Sequence, residues 1–206
     1  FEFELEDLAG YTSYGDPEDG SARVIRPGIY LEQTQKKGRL EGTPGVRLDT
    51  MMVHDRFEDV DTTLFTADPR LALTYALSDQ TSLFGTVGRY SQFPQLRELL
   101  EDSNGNPNLR PEWALSTSLG ASHAFSDRLS LEATGYASWL QDVIVGREDR
   151  FEFQLGPLVT GPVDTGPYEN AGSGLIGGIE SMVRWENHRT TAWLGLTLSR
   201  SVRTSR

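Results

Sequence analysis

Apolar and polar residues alternate with a period of two along most of this chain. That pattern restricts it to β-strands with two chemically different faces. The opening Phe1-Glu2-Phe3-Glu4-Leu5-Glu6 alternates strictly. The alternation returns in Leu71/Leu73/Tyr75/Leu77 against Arg70/Ala72/Thr74/Ala76, and in Leu115/Thr117/Leu119/Ala121 against Ser116/Ser118/Gly120/Ser122. Leu129/Leu131/Ala133 against Ser130/Glu132/Thr134, and Ala192/Leu194/Leu196/Leu198 against Trp193/Gly195/Thr197/Ser199, repeat it. The pattern predicts about nine strands, over 1–13, 24–35, 39–52, 68–78, 82–93, 112–125, 129–145, 170–185 and 190–203.

The connections between these strands are sorted by length. Short ones fall at 36–38, 79–81, 126–128 and 186–189, and long ones rich in Asp, Glu, Asn, Gly and Pro at 14–23, 53–67, 94–111 and 146–169. A soluble sandwich has no reason to sort its loops this way, whereas an outer-membrane barrel puts tight turns in the periplasm and long loops outside. Register agrees. Pairing Phe125 with Leu129 sets Leu131 opposite His123, Ala133 opposite Ala121 and Gly135 opposite Leu119. The turn at 186–189 is expected to pair Val183 with Ala192 and Ile179 with Leu196. A slip of one residue would mix the two faces. The polar faces are small and hydrophilic, which suits a wide, wet or plugged lumen. The expected fold is therefore all-β, an antiparallel up-and-down transmembrane β-barrel filling 1–206 as one partial-barrel domain. Nine is odd, bacterial single-chain barrels close with even counts, and both chain ends fall inside apparent strands. The expectation is part of a larger barrel.

Composition removes other classes. The net charge of −11 argues against a nucleic-acid partner, which needs a basic face. With no cysteine, disulfides, cysteine-based zinc sites and thiol catalysis are unavailable. No run approaches the roughly 20 apolar residues of a membrane helix, and barrel strands are apolar only at alternate positions. No charged-then-apolar leader starts at Phe1, so a signal peptide is expected to lie outside these residues.

Five segments carry a family resemblance. Thr43-Pro44-Gly45-Val46-Arg47-Leu48-Asp49 matches a "PGxRxD" strand, and Asp68-Pro69-Arg70 through Tyr75 an "SPRxxxxY" strand with Asp in place of Ser. Phe84–Pro94 matches a strand ending in a Phe-x-x-Pro-like run, here compressed to Phe93-Pro94. Asn106-Pro107-Asn108-Leu109-Arg110-Pro111-Glu112 matches "NPxLxPE", and Tyr168-Glu169-Asn170-Ala171-Gly172 followed by Gly178-Ile179-Glu180 matches "N-x-G…GxE". In this order, across about two-thirds of the chain, they resemble the barrel of TonB-dependent outer-membrane receptors. The resemblance implies a barrel of the roughly 22-strand type, located in the bacterial outer membrane in contact with its lipid. It implies import of a scarce small molecule, such as a siderophore-type metal chelate, cobalamin or an oligosaccharide. TonB would supply the energy through a plug domain absent from these residues. No cofactor and no catalytic residue are implied.

Candidate sites are few. Loops 94–111 and 146–169 are long enough to touch a ligand, and Arg97, Glu98, Arg110, Arg147 and Arg150 are the candidate contacts. Leu96–Leu100 suggests one helical turn. The acidic stretch Asp55, Glu58, Asp59, Asp61 and Asp68 reads as a solvated loop rather than a calcium site. Asp102–Asn106 fails as an EF-hand, because Pro107 and Trp113 take the glycine and bidentate-acid positions. His54, His123 and His188 are too dispersed to share a metal, so no metal site is expected. Glu132 and Glu180 are expected to face the lumen, near Arg184 or Arg89. Tyr90, Phe93, Phe125, Trp139 and Trp185 are candidates for interfacial aromatic girdles. Two rival readings are a receptor-derived barrel with a structural or assembly role, and a soluble β-rich binding module or enzyme.

Overall fold

The computed structural model describes residues 2–8, 22–55, 60–100, 105–147 and 166–205. Its strands are β1 (Glu2–Leu8), β2 (Arg23–Glu32), β3 (Gln35–Lys37), β4 (Leu40–Asp55), β5 (Val60–Ala76), β6 (Thr81–Gln92), β7 (Glu112–Ser126), β8 (Leu129–Arg147), β9 (Gly166–Glu186) and β10 (Thr191–Ser205), with one helix, α1 (Leu96–Leu100). They form one antiparallel sheet in the order β1-β2-β4-β5-β6-β7-β8-β9-β10, with β3 beside β4.

β2 and β3 are one line of strand. Glu32 pairs with Gly45 and Gln35 with Gly42, so the register runs unbroken across the gap. The gap lies opposite Pro44, which accepts from the Gln33 N–H at 3.1 Å but has no N–H to return. The wall is therefore an up-and-down meander of nine lines, open, with β1 and β10 as its edges. Gly38, at φ 62, supplies the left-handed conformation that the tight β3–β4 turn requires.

The structure shifts several expected boundaries. Residues 53–55 and 60–67, assigned above to a long loop, extend β4 and β5, with pairs up to Asp55–Val60. The first tight turn lies at Gly38-Arg39, not 36–38. His123–Leu131, Ala121–Ala133 and Leu119–Gly135 pair as expected, but Phe125 is left out of the ladder where Ser126 pairs with Leu129. Val183 pairs with Leu194 and Ile179 with Leu198, two residues from the expected register. A shift of two leaves each side chain on its expected face. The loops expected at 14–23 and 146–169 fall mainly outside the described residues, although 23, 146–147 and 166–169 lie in strands.

The two faces are chemically distinct across the whole sheet. One row of registered pairs runs Gly42–Leu73–Gly85–Leu119–Gly135–Ile179–Leu198. Its Leu119, Ile179 and Leu198 are 72%, 62% and 64% exposed. So large an uncovered apolar band needs a covering phase, and the bilayer supplies one in a membrane barrel. Thr117 on this face donates its hydroxyl to the Thr86 carbonyl at 3.1 Å, so even its polar group is satisfied without water. The opposite row runs Thr43–Ala72–Thr86–Ser118–Tyr136–Gly178–Ser199. Hydroxyls pair along that face, Thr86 with Ser118 at 2.7 Å and Ser116 with Ser138 at 2.8 Å.

Large side chains on the polar face lie against glycines of the next strand. Phe84 pairs with Gly120 and Tyr136 with Gly178. A Cβ on Gly120 would stand 2.5 Å from the Phe84 ring, and one on Gly178 2.8 Å from Tyr136 Cζ. The aromatics thereby cover bare backbone and stay close to the wall. Replacing Gly120 with Ala is expected to destabilise the barrel by about 1–3 kcal/mol through overpacking. Most of that loss should return when Phe84→Leu is added, as measured by guanidinium unfolding in detergent micelles.

Candidate functional site

The long-loop end of the polar face changes character. Val24 pairs with Val53 and Met51 with Leu64, which places four apolar residues where the rest of the face is polar. Residues 93–100 and 105–111 return over them. Leu99 and Leu109 join Val24, Met51 and Val53 in one buried cluster, flanked by Phe93, Leu96, Leu100, Ile144 and Tyr168. Leu99 and Leu109 are each 1% exposed, and burying such a side chain contributes about 2 kcal/mol. The loop is thus folded inward on an apolar base, with its polar side outermost.

Each part of this loop has a local cause. The β5–β6 ladder ends at Arg70–Gly88, next to Pro69, which has no N–H to offer. Asp68 takes over there, accepting from the Ser91 N–H at 3.0 Å and the Ser91 hydroxyl at 2.6 Å. After Pro94, Gln95 donates its N–H to Glu98 Oε2 at 2.7 Å, satisfying a donor at the start of α1. The Glu98 carbonyl accepts from the Asn106 N–H at 2.8 Å. Asn106 Oδ1 accepts from the Asn108 N–H at 3.0 Å, and its Nδ2 donates to the Tyr168 carbonyl at 2.8 Å.

Asn170 makes the second fastening. It accepts from the Arg110 N–H at 2.8 Å and donates to the Arg110 and Asp142 carbonyls at 2.9 and 2.7 Å. Asp142 stands at an irregularity of β8 between Leu140 and Val143, at φ 55, a conformation that Asp adopts more readily than most residues. Its carboxylate accepts from Arg110 Nη2 at 2.8 Å and Trp113 Nε1 at 3.0 Å. Glu112 accepts from the Ile144 N–H at 2.6 Å. Arg89 lies 5.0 Å from the Trp113 ring centroid, in cation–π contact.

The candidate contacts are therefore divided. Arg97 is exposed on α1. Glu98 is on the same helix, with its carboxylate engaged by Gln95. Arg110 is drawn to Asp142 at the β8–β9 side of the loop. Arg147 ends β8, its side chain lies outside the described residues, and so does Arg150 as a whole. Reading the sequence for charge missed Asp142, Asn170 and Trp113. The two motif asparagines, Asn106 and Asn170, were the available signal.

Other expected placements resolve as follows. Phe93 belongs to the buried cluster and Tyr90 lies beside Gly88 on the polar face, so neither is an outward girdle residue. Arg89, in register with Leu115, is on the outward face and does not neutralise a lumen carboxylate. Arg184 pairs with Glu186 at 2.8 Å. His123 accepts or shares a hydrogen with Thr81 at 2.8 Å and meets Phe125 edge-on at 4.6 Å. Asp55, Asp61 and Asp68 are strand residues, and Glu58 and Asp59 lie outside the described residues. Among the described residues, no three His, Cys, Asp or Glu side chains gather to hold a metal ion.

A wall with an apolar outer face, a hydroxyl-lined inner face and an inward-folded outer loop defines an outer-membrane barrel. The model of the TonB dependent receptor-like, beta-barrel family matches residues 4–205, and the chain belongs to that family. Proteins of this family lie in the bacterial outer membrane and act as receptors and transporters, not enzymes. No curated protein matches the sequence. Among solved structures, the chain is similar to the FrpB iron transporter of Neisseria meningitidis (F3-3 variant), with TM-score 0.67, 16% identity, 88% of this chain and 26% of that one. The copper transporter OprC gives 0.63, 21%, 91% and 30%. The Serratia marcescens hemophore receptor HasR, in complex with HasA and heme, gives 0.64, 18%, 88% and 34%. The chain thus spans about a quarter to a third of these proteins.

The stitching has a direct consequence. Asn170→Ala should cost about 1–3 kcal/mol by stranding partners of a part-buried amide. Hydrogen exchange should accelerate at the Arg110 amide and through 105–111, with little change in the Thr86–Ser118 region of the wall.

Proposed function

We propose that this barrel serves TonB-dependent uptake of a scarce small molecule across the outer membrane, and that the molecule is a metal chelate. The observation that carries the reading is the pair of stretches 93–100 and 105–111, folded over the lumen end and fastened to β8 and β9. It offers a preorganised surface where the outside meets the passage. Family membership supports the receptor class. The metals and heme named for similar structures support the chelate over cobalamin or an oligosaccharide.

Arg97 is the contact we rank first, because it is exposed on the loop while Arg110 and Glu98 are engaged in holding it. A cation suits the carboxylate, catecholate or hydroxamate oxygens that commonly clothe a chelated metal. The barrel wall binds, orients and conducts, and no covalent step is required.

The test uses the full reading frame containing this chain, expressed in a bacterium stripped of its own iron receptors. Radiolabelled ferric chelates should enter only when TonB is present. Arg97→Ala should weaken binding about tenfold, as expected for a lost charged hydrogen bond, without lowering the amount of barrel in the outer membrane. A correctly inserted protein that imports none of the chelates, or imports them equally without TonB, would overturn the proposal and favour a structural role.

A further inference from the structure

The apolar outward face is not uniform. Near the short-turn end it holds a slot of about 390 Å³. Gly85 forms its floor, between Leu73 and Leu119, which flank it in register. Leu40 and Tyr75, a registered pair, also line it, with Leu83. The apolar lining suits a hydrocarbon chain lying along β6.

Cations gather where the slot meets the edge of the wall. Lys37 pairs with Leu40, so a lysine stands directly beside a slot residue. Arg39 follows across the Gly38 turn, whereas Lys36 pairs with Glu41 on the opposite, polar face. Arg39 Nη1 donates to the Leu77 carbonyl at 3.0 Å, which holds its guanidinium over the neighbouring turn. Lys37 is exposed and forms no salt bridge among the described residues. Two cations without an acid between them occur at no other short turn. Leu77–Gln80 carries Asp79, Asp127 and Arg128 offset one another, and Asn187–Thr190 carries Arg189 alone.

We infer that this feature is a docking site for an anionic phospholipid of the membrane leaflet that faces the periplasm. One acyl chain occupies the slot over Gly85, and the phosphate sits between Lys37 and Arg39. The short turns set the leaflet, because they lie on the periplasmic side. The Lys37 stem follows the apolar wall while its ammonium group reaches the headgroup. Charge sets the lipid class, since each such cation favours an anionic lipid surface about fivefold.

Native mass spectrometry of the full-length protein in detergent tests this, with equal amounts of dioleoyl phosphatidylglycerol and dioleoyl phosphatidylethanolamine offered. The unaltered protein should retain the anionic lipid in several-fold excess. K37Q/R39Q should lower that excess about fivefold or more; both positions are exposed, and the variant should keep the heat-modifiable gel mobility of a folded barrel. Thr117→Leu narrows the slot at unchanged charge and should reduce anionic-lipid retention, with heat-modifiable gel mobility confirming a folded barrel. Equal retention of the two lipids overturns the inference. So does an excess that survives K37Q/R39Q, an excess that ignores Thr117→Leu, or a lipid-free dimer in which a second copy covers the slot.

Discussion

Backbone hydrogen bonding in hydrocarbon is the constraint on which the rest of this structure depends. A strand that crosses a bilayer has no water to satisfy an orphaned N–H or C=O, so each line of the wall must pair with its neighbour over its whole membrane length. Where the ladder falters, a named group repairs it. Opposite Pro44, the Gln33 N–H still reaches a carbonyl. Beside Pro69, the Asp68 carboxylate receives the Ser91 N–H. At the β8 irregularity, Glu112 receives the Ile144 N–H and Asn170 binds the Asp142 carbonyl. Departures from regular pairing are therefore placed where a side chain can take over the missing role.

A fully paired wall also explains the two faces. Because the backbone is satisfied within the sheet, side chains are free to match their surroundings, hydrocarbon on one side and water on the other. The glycine seats follow from the same arrangement. In a wide barrel no opposite wall approaches to pack against an inward aromatic, so Phe84 and Tyr136 lie on Gly120 and Gly178 within their own sheet. Glycine's absent side chain is here a space that a neighbour fills.

Much of this was legible in the sequence, for physical reasons. Period-two alternation is strong wherever a strand faces lipid, and Leu119, Leu131 and Leu198 mark it plainly. The signal fades where β4 and β5 leave the bilayer. Asp61, Thr62 and Thr63 are polar on both faces there, so a paired strand looks like a loop. Register at 186–189 was found only to within two residues, because parity fixes the face of Val183 and says nothing about which residue on that face it meets. The outer loop was harder still. Arg110 looked like a ligand contact because a charged residue in a loop usually faces solvent. Its partner, Asp142, is distant in sequence and occupies a left-handed position that no periodicity announces. The asparagines of the ordered motifs were visible as letters, but their function is to tie segments 60 residues apart, which only the fold brings together.

The buried cluster at the outer end shows how such a wall obtains a core. Along most of the described sheet, no side chain is buried on the polar face by another layer, and stability rests on paired backbone and on the lipid. Among the described residues, only where 93–100 and 105–111 turn inward do Val24, Met51 and Val53 meet Leu99 and Leu109. A loop of that length would lose its order to chain entropy if solvated on both sides. The apolar underside opposes that loss, and the asparagine and aspartate stitches fix its position along the rim. The two devices act on different freedoms, since burial alone would hold the loop down while leaving it free to slide. Their combination gives the outer mouth of the barrel a defined surface, which a recognition site requires before any particular ligand is considered.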